Sequence, residues 1–204
     1  DRWYQMGVML SATDSLNWLA SITGSTAPAL TQTLGEDLRP PGAAMFLPYL
    51  SGERTPHNDA DIRGSFTGLA VGTGAPDLTQ AVLEGVAFGL RDSLEAFEAT
   101  GTKLERLMAI GGGARSTYWL KLIATVLDVT LERLKDGEFG AAMGAARLAV
   151  MARTSEASDI VLTKPEISSA IAPDPALKDR FDAAYDVFKG AYAKIKSAQI
   201  KMEA

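Results

Sequence analysis

Two runs of small residues and one polar turn are where this sequence could do chemistry. Ile110 runs into Gly111-Gly112-Gly113-Ala114, and a helix is expected from about Ser116. Three glycines remove every Cβ where the chain leaves a strand, so a flat or charged ligand can lie against the backbone. The helix beyond offers free N–H groups, with Ser116 at its mouth. The same run also reads as a tight strand-to-helix turn that holds nothing. No Gly-Lys-Ser/Thr triplet follows, and the third glycine is at the wrong offset for G-x-G-x-x-G. The second run, Gly140-Ala141-Ala142-Met143-Gly144-Ala145-Ala146, lets a helix lie close against another helix or a bound nucleotide. The third feature is Gly52-Glu53-Arg54-Thr55-Pro56-His57. It reads as a turn stabilised by a Glu53–Arg54 pair, with His57 at the surface. No motif supplies a nucleophile with its base, nor two carboxylates set for acid–base work.

These features need elements to position them. Residues 3–10, 45–50, 64–69, 107–110 and 130–134 read as strands, the fourth of them buried. Ser11 or Thr13 caps a first helix with Leu16, Leu19 and Ile22 on its apolar face. The clearest helix starts at Pro76-Asp77, with Asp77 as N-cap and Gln80 in the reciprocal position. Val82, Val86, Leu90, Leu94 and Phe97 repeat along it, and Gly85 and Gly89 predict close approach of another backbone. From Ser116 a helix carries Leu120, Ile123, Ala124 and Leu127, and a small-residue helix spans 140–149. Residues 24–42 read as a long connection and 153–175 as an irregular link. An amphipathic helix over 176–198 closes the chain, with Phe181, Tyr185 and Phe188 on its apolar face. Strand–helix alternation through the middle predicts an α/β fold.

Composition narrows the function classes. At 204 residues, with 47% hydrophobic and 22% charged, the chain is long enough for one domain or somewhat more. It has no cysteine and a single histidine, which excludes disulfides, thiolate catalysis, iron–sulfur clusters and multi-histidine metal sites. A net charge of −5 argues against nucleic acid as a partner, and no apolar run is long enough for a membrane span. With no signal peptide before the first segment, a cytoplasmic protein is expected. The chain opens at Asp1 rather than Met, which fits trimming or the back part of something longer.

Three ordered motifs resemble the FGGY family of carbohydrate kinases, and the resemblance covers nearly the whole chain. Gly64-x-Phe66-x-Gly68-Leu69, then Asp77-Leu78 and Ala81-Val82-Leu83-Glu84, resembles the family's C-terminal signature. Gly111 to Ser116 with Trp119 resembles its adenosine-binding turn, and Glu138-Phe139-Gly140 to Ala146 is similar to the helix closing that site. Leu47 to Pro56 is similar to the same segment in members acting on D-xylulose. Where many members carry Arg and Asn, this chain has Gln80 and Thr117.

The resemblance implies an actin-like, ribonuclease H-like ATPase fold. Residues 1–204 would then be the C-terminal half of a two-domain sugar kinase, incomplete at its N-terminal end. It implies that Gly111, Gly112, Gly113, Ala114, Ser116 and Thr117 bind ATP, that Mg²⁺ accompanies the nucleotide, and that D-xylulose is the substrate. An N-terminal kinase domain is the implied partner, and the C-terminal helix suits a homodimer. No catalytic residue lies in this chain, because the family's aspartate base is expected upstream of Asp1, so the chain alone is expected to be inactive. The alternatives are another ketose or polyol as substrate, or a non-catalytic nucleotide-binding module.

Overall fold

The structure, a computed structural model, describes residues 3–135, 137 and 140–203. Its spine is helix α3 (Ala75–Glu98), in which Ala81, Val82, Leu83, Val86, Ala87 and Phe88 are all buried. Apolar residues on more than one side of the helix force that position, as their spacing predicts. The helix starts earlier than expected. Pro76 needs no N–H partner in a first turn, so Gly74 becomes the N-cap, and Asp77 at the third position accepts its N–H at 2.8 Å. Gln80 takes no part in this cap. It is buried and bonded to other groups.

Around α3 lie α1 (Thr13–Ile22), α2 (Ala27–Gln32) and an antiparallel ribbon of β1 (Met45–Leu47) and β2 (Ser65–Thr67), with Phe46 opposite Phe66. Gly85 faces the Phe46 carbonyl so closely that no Cβ would fit, and a Cβ on Gly89 would come 2.6 Å from Met9 Cε. The expected close packing is therefore real, with backbone at one glycine and a side chain at the other. A second sheet has the order β3-β4-β5. In it β3 (Arg106–Ala109) runs parallel to β4 (Thr130–Leu134), the crossover being α4 (Thr117–Leu127). Strand β5 (Ile167–Ile171) pairs antiparallel on the other side of β4. After β4 come α5 (Gly140–Thr154) and α6 (Ser158–Val161), and α7 (Lys178–Glu203) crosses back over the core.

Several expectations are corrected. Residues 3–10 form no strand: Val8 and Leu10 donate their N–H groups to Thr55 Oγ1 (2.9 Å) and Glu53 Oε1 (3.0 Å). The apolar run is held by a turn rather than by a neighbouring strand, through these side chains and through the Thr55 N–H donating to the Val8 carbonyl at 2.9 Å. The first helix is capped by neither Ser11 nor Thr13, since Ala12 holds the N-cap position, and Ile22 is exposed. The connection over 24–42 contains α2, whose start is set by Thr26 Oγ1 accepting the Ala29 N–H. The link over 153–175 contains the end of α5, α6 and β5. Pairing with β4 makes Ile-Ser-Ser-Ala-Ile a strand despite its exposed side chains. Strand β3 is not buried either, for Arg106 and Met108 face outward. The final helix runs Lys178–Glu203 rather than 176–198, with Phe181, Tyr185 and Phe188 buried as expected. The small-residue helix is longer than expected and has no buried residue: Gly140 rests on Ile110, and nothing lies within 4 Å of a Cβ on Gly144. Glu138 and Phe139, the start of its motif, lie outside the described residues, as does Asp136. No helix among the described residues is long and apolar enough to cross a membrane.

Candidate functional site

Strand β3 delivers the chain to the glycine run, and the run turns it sharply. Gly111 has φ +86°, a conformation that side chains rarely adopt, and its N–H donates to the Gly137 carbonyl at 3.1 Å. Residues Gly112–Arg115 then make a 3₁₀ turn. Ser116 is extended and caps α4, its Oγ accepting the Trp119 N–H at 3.2 Å. Trp119 is fixed from behind, because its indole N–H donates to the Leu83 carbonyl of α3 at 3.3 Å. A Cβ on Gly113 would come 3.0 Å from the Trp119 ring, whereas a Cβ on Gly112 would meet nothing within 4 Å.

In front of this turn is a cavity of about 650 Å³. Its near wall is Gly112, Gly113, Arg115 and the first turn of α4. Its far walls come from α1 (Thr13, Asn17), α2 (Pro28, Thr31) and the segment after α2 (Gly35, Glu36). The first-turn N–H groups and the positive end of the α4 dipole favour electron-rich atoms here. Thr117 Oγ1 accepts from Arg133 Nη2 of β4 at 3.2 Å, which ties the helix start to the sheet.

Of the six residues singled out from sequence, Gly112, Gly113, Ser116 and Thr117 line the cavity. Gly111 bends the chain, and Ala114 packs on the smaller core around Leu120 and Leu131. The α1 and α2 walls were not visible as site residues. The one sequence signal for α2 was Thr26 with Pro28 two residues on, an N-cap and first-turn pair.

The segment Glu53 to His57 is not the turn that sequence suggests. Buried Glu53 accepts the backbone N–H groups of Arg54 (2.8 Å) and Leu10 (3.0 Å) and makes no ion pair with Arg54. His57 is half-buried, stacked on Tyr192 at 3.7 Å between ring centres and 3.2 Å from Tyr49 Oη. Burial lowers the His57 pKa. Next to it, burial pushes the Asp92 carboxyl up to about 6, while the Tyr185 hydroxyl, donating at 2.6 Å, pulls the other way. Tyr192 donates to Asp59 at 2.8 Å. These groups fasten α7 to α3 and to the turn.

Among the described residues no group of three or more His, Asp or Glu side chains could hold a metal ion. Gly112 leaves free a space that a Cβ would enter, so its backbone lies open to the cavity.

The family model for the C-terminal domain of the FGGY carbohydrate kinases matches residues 1–153. The chain belongs to the FGGY family of carbohydrate kinases. It is 40% identical over 199 residues to the xylulose kinase of Escherichia coli K12, covering 95% of this chain and 40% of that protein. The crystal structure of a xyloylose (xylulose) kinase from Brucella ovis matches with TM-score 0.87 and 49% identity, over 95% of this chain and 40% of that one. The xylulose kinase from Rhodospirillum rubrum matches with TM-score 0.74 and 30% identity, over 94% and 39% of the two chains. The chain thus spans about 40% of the length of these FGGY relatives. Its α/β fold is the FGGY C-terminal domain, part of an actin-like ATPase fold.

Proposed function

We propose that this chain is the nucleotide-holding part of a cytoplasmic ATP-dependent kinase that converts D-xylulose to D-xylulose 5-phosphate, working with an N-terminal kinase domain. The observation that carries this reading is the open side of Gly112, at the junction of β3 and α4. There the backbone can be approached directly, and several relatives that match the chain over nine-tenths of its length, among them those from Escherichia coli and Rhodospirillum rubrum, are named xylulose kinases. Gly112 and Gly113 would lie against the adenine, while Ser116 and Thr117 stand at the ribose. Gly111 and Ala114 would hold the turn in shape. When bound, MgATP supplies the γ-phosphoryl group and neutralises charge during its transfer to the sugar 5-hydroxyl. The carboxylate base and the sugar contacts are assigned to the N-terminal domain, and this chain contributes the position of the nucleotide.

Gly112→Val in the intact kinase tests the nucleotide assignment. The Cβ of a valine meets no protein atom within 4 Å and its branches point into the cavity's open space, so unfolding should shift by less than about 0.5 kcal/mol. ATP affinity, measured by calorimetry, should fall between about tenfold and a hundredfold. Unchanged affinity in a folded variant would leave the turn merely structural. Product analysis with D-xylulose against a panel of ketoses and polyols tests the substrate, and preferred turnover of another sugar would reassign it.

A further inference from the structure

The far wall of the cavity is held in an unusual way. After α2 the chain passes Gly35 and Glu36, both lining the cavity, and reaches β1 without forming helix or strand. Among the described residues, the backbone of 36–42 makes no hydrogen bond to any other backbone group. Side chains hold it instead. Lys121 of α4 donates to the Glu36 carbonyl at 2.8 Å, and Gln80 of α3 donates to the Pro40 carbonyl at 2.8 Å. The Gly42 N–H donates to both Glu84 oxygens, at 3.1 and 3.3 Å, and Gln80 also donates to Glu84 Oε1 at 2.8 Å. Glu84 is 4% exposed.

We infer that Glu84 is a positioning residue for the cavity: its hold on Gly42 sets how firmly the 35–42 segment, which carries the wall residues Gly35 and Glu36, is held, and charge on the carboxyl loosens it. The inference rests on reading the cavity as the nucleotide site. No Lys, Arg or His among the described residues lies within ion-pair reach of Glu84. Tyr118 faces it from α4, and the carboxylate adds to the burial that raises the Tyr118 phenol to about 12. Beside it lies a cavity of about 230 Å³, whose other lining residues, from the 42–44 segment, β1, β2, α3 and α7, carry no titratable group. Burial pushes the Glu84 carboxyl up to about 7, against the pull of the Gln80 and Gly42 donors. The sign follows. A buried acid with a raised pKa keeps its proton in the closed wall, and an opening that admits water lets the proton go. Openings of the wall should therefore become more frequent as pH rises.

Hydrogen exchange of the Gly42 amide in the intact kinase, corrected for its intrinsic pH dependence, reads this directly. With 4.5 in the hydrated state and about 7 in the closed one, exchange should accelerate up to about tenfold between pH 6 and pH 8. Glu84→Gln keeps the acceptor and loses the charge, so its exchange should be flat over that range. Gln80→Met leaves the carboxyl but removes a donor that lowers its pKa; exchange should be faster at both pH values, with the midpoint moved up. A folded Glu84→Gln protein that keeps the native pH slope would overturn the inference. So would an unmoved midpoint in Gln80→Met. Saturating ATP should slow Gly42 exchange; ATP bound by calorimetry without that slowing removes the positioning role. Absence of any ATP binding would sink the nucleotide reading instead, with the pH series still judging the lock.

Discussion

Helix α4 borders two unlike regions. At its start, the glycine turn faces a cavity, α5 has no buried residue, and strand β3 alternates between half-buried and exposed side chains. Elsewhere in the core, α3 and α7 enclose a buried aromatic seam. Phe88 lies 5.8 Å from Tyr185 and 5.3 Å from Phe188, and Arg91 sits 4.3 Å over the Tyr185 ring. Phe181, Tyr185 and Phe188 are each at most 1% exposed. The contrast separates two kinds of residue. Where a side chain is enclosed on all sides, its removal is felt by the fold; where a glycine faces open space, an added side chain is felt by whatever enters that space.

The largest effect should come from emptying the seam. Phe188→Ala leaves a cavity among Tyr49, Phe88 and Tyr185, and should cost about 3–5 kcal/mol in chemical denaturation. Set beside Gly112→Val, it makes the contrast quantitative. A loss under 1 kcal/mol would mean that α7 is not part of the cooperative core, and the comparison would break.

The seam and the turn also differ in how readable they were. Helices α3 and α4 follow from periodicity, because long runs of apolar residues leave one way to be buried. Elements α2 and β5 did not, since a helix of six residues and an exposed edge strand owe their form to neighbours rather than to their own pattern. Half of the cavity was legible: three adjacent glycines are a local signal that backbone is laid bare. The half made by Thr31, Gly35 and Glu36 was not, as ordinary polar residues become a wall only through packing. The turn at His57 stood out but its surroundings were misread, since His57 is half-buried and stacked on Tyr192. Its partner Tyr192 bonds Asp59 across 133 residues, and no local spacing encodes such a meeting.

A middle-sized effect tests the polar lining of the seam. Tyr185→Phe leaves Asp92 Oδ1 without its donor at 2.6 Å and should cost about 1–3 kcal/mol near neutral pH. The pH dependence should move with it. Asp92, raised from 3.8 to about 6, holds its proton longer when folded, so its contribution to stability declines as pH rises from about 4 to 6. His57 acts in the opposite sense, its lowered pKa withdrawing stability as pH falls through 6.5, and Arg91, Glu95 and Lys189 add fixed charge nearby. Asp92→Asn removes the Asp92 component, and the native-minus-Asn difference isolates it. That difference should fall with pH by at most about 1.4 kcal/mol per unit, and over a window extending higher in the Tyr185→Phe background. A flat difference would mean that water solvates Asp92 freely through the cavity of about 310 Å³ that it lines, and the contrast would break there.

The smallest effect lies on the open side, and it sharpens the contrast most. Ser116 both caps α4 and lines the cavity, so its two roles have to be separated. Ser116→Ala removes the acceptor for the Trp119 N–H and should cost about 1 kcal/mol, while Ser116→Gly should cost only a few tenths. If the hydroxyl serves the helix alone, ATP affinity in the intact kinase should track that stability order, with glycine the milder change. If the hydroxyl also meets the nucleotide, both variants lose the contact, and affinity should fall alike in both while stability differs. Paired denaturation and calorimetry on the two variants therefore distinguish a cap that borders a site from a cap that belongs to it.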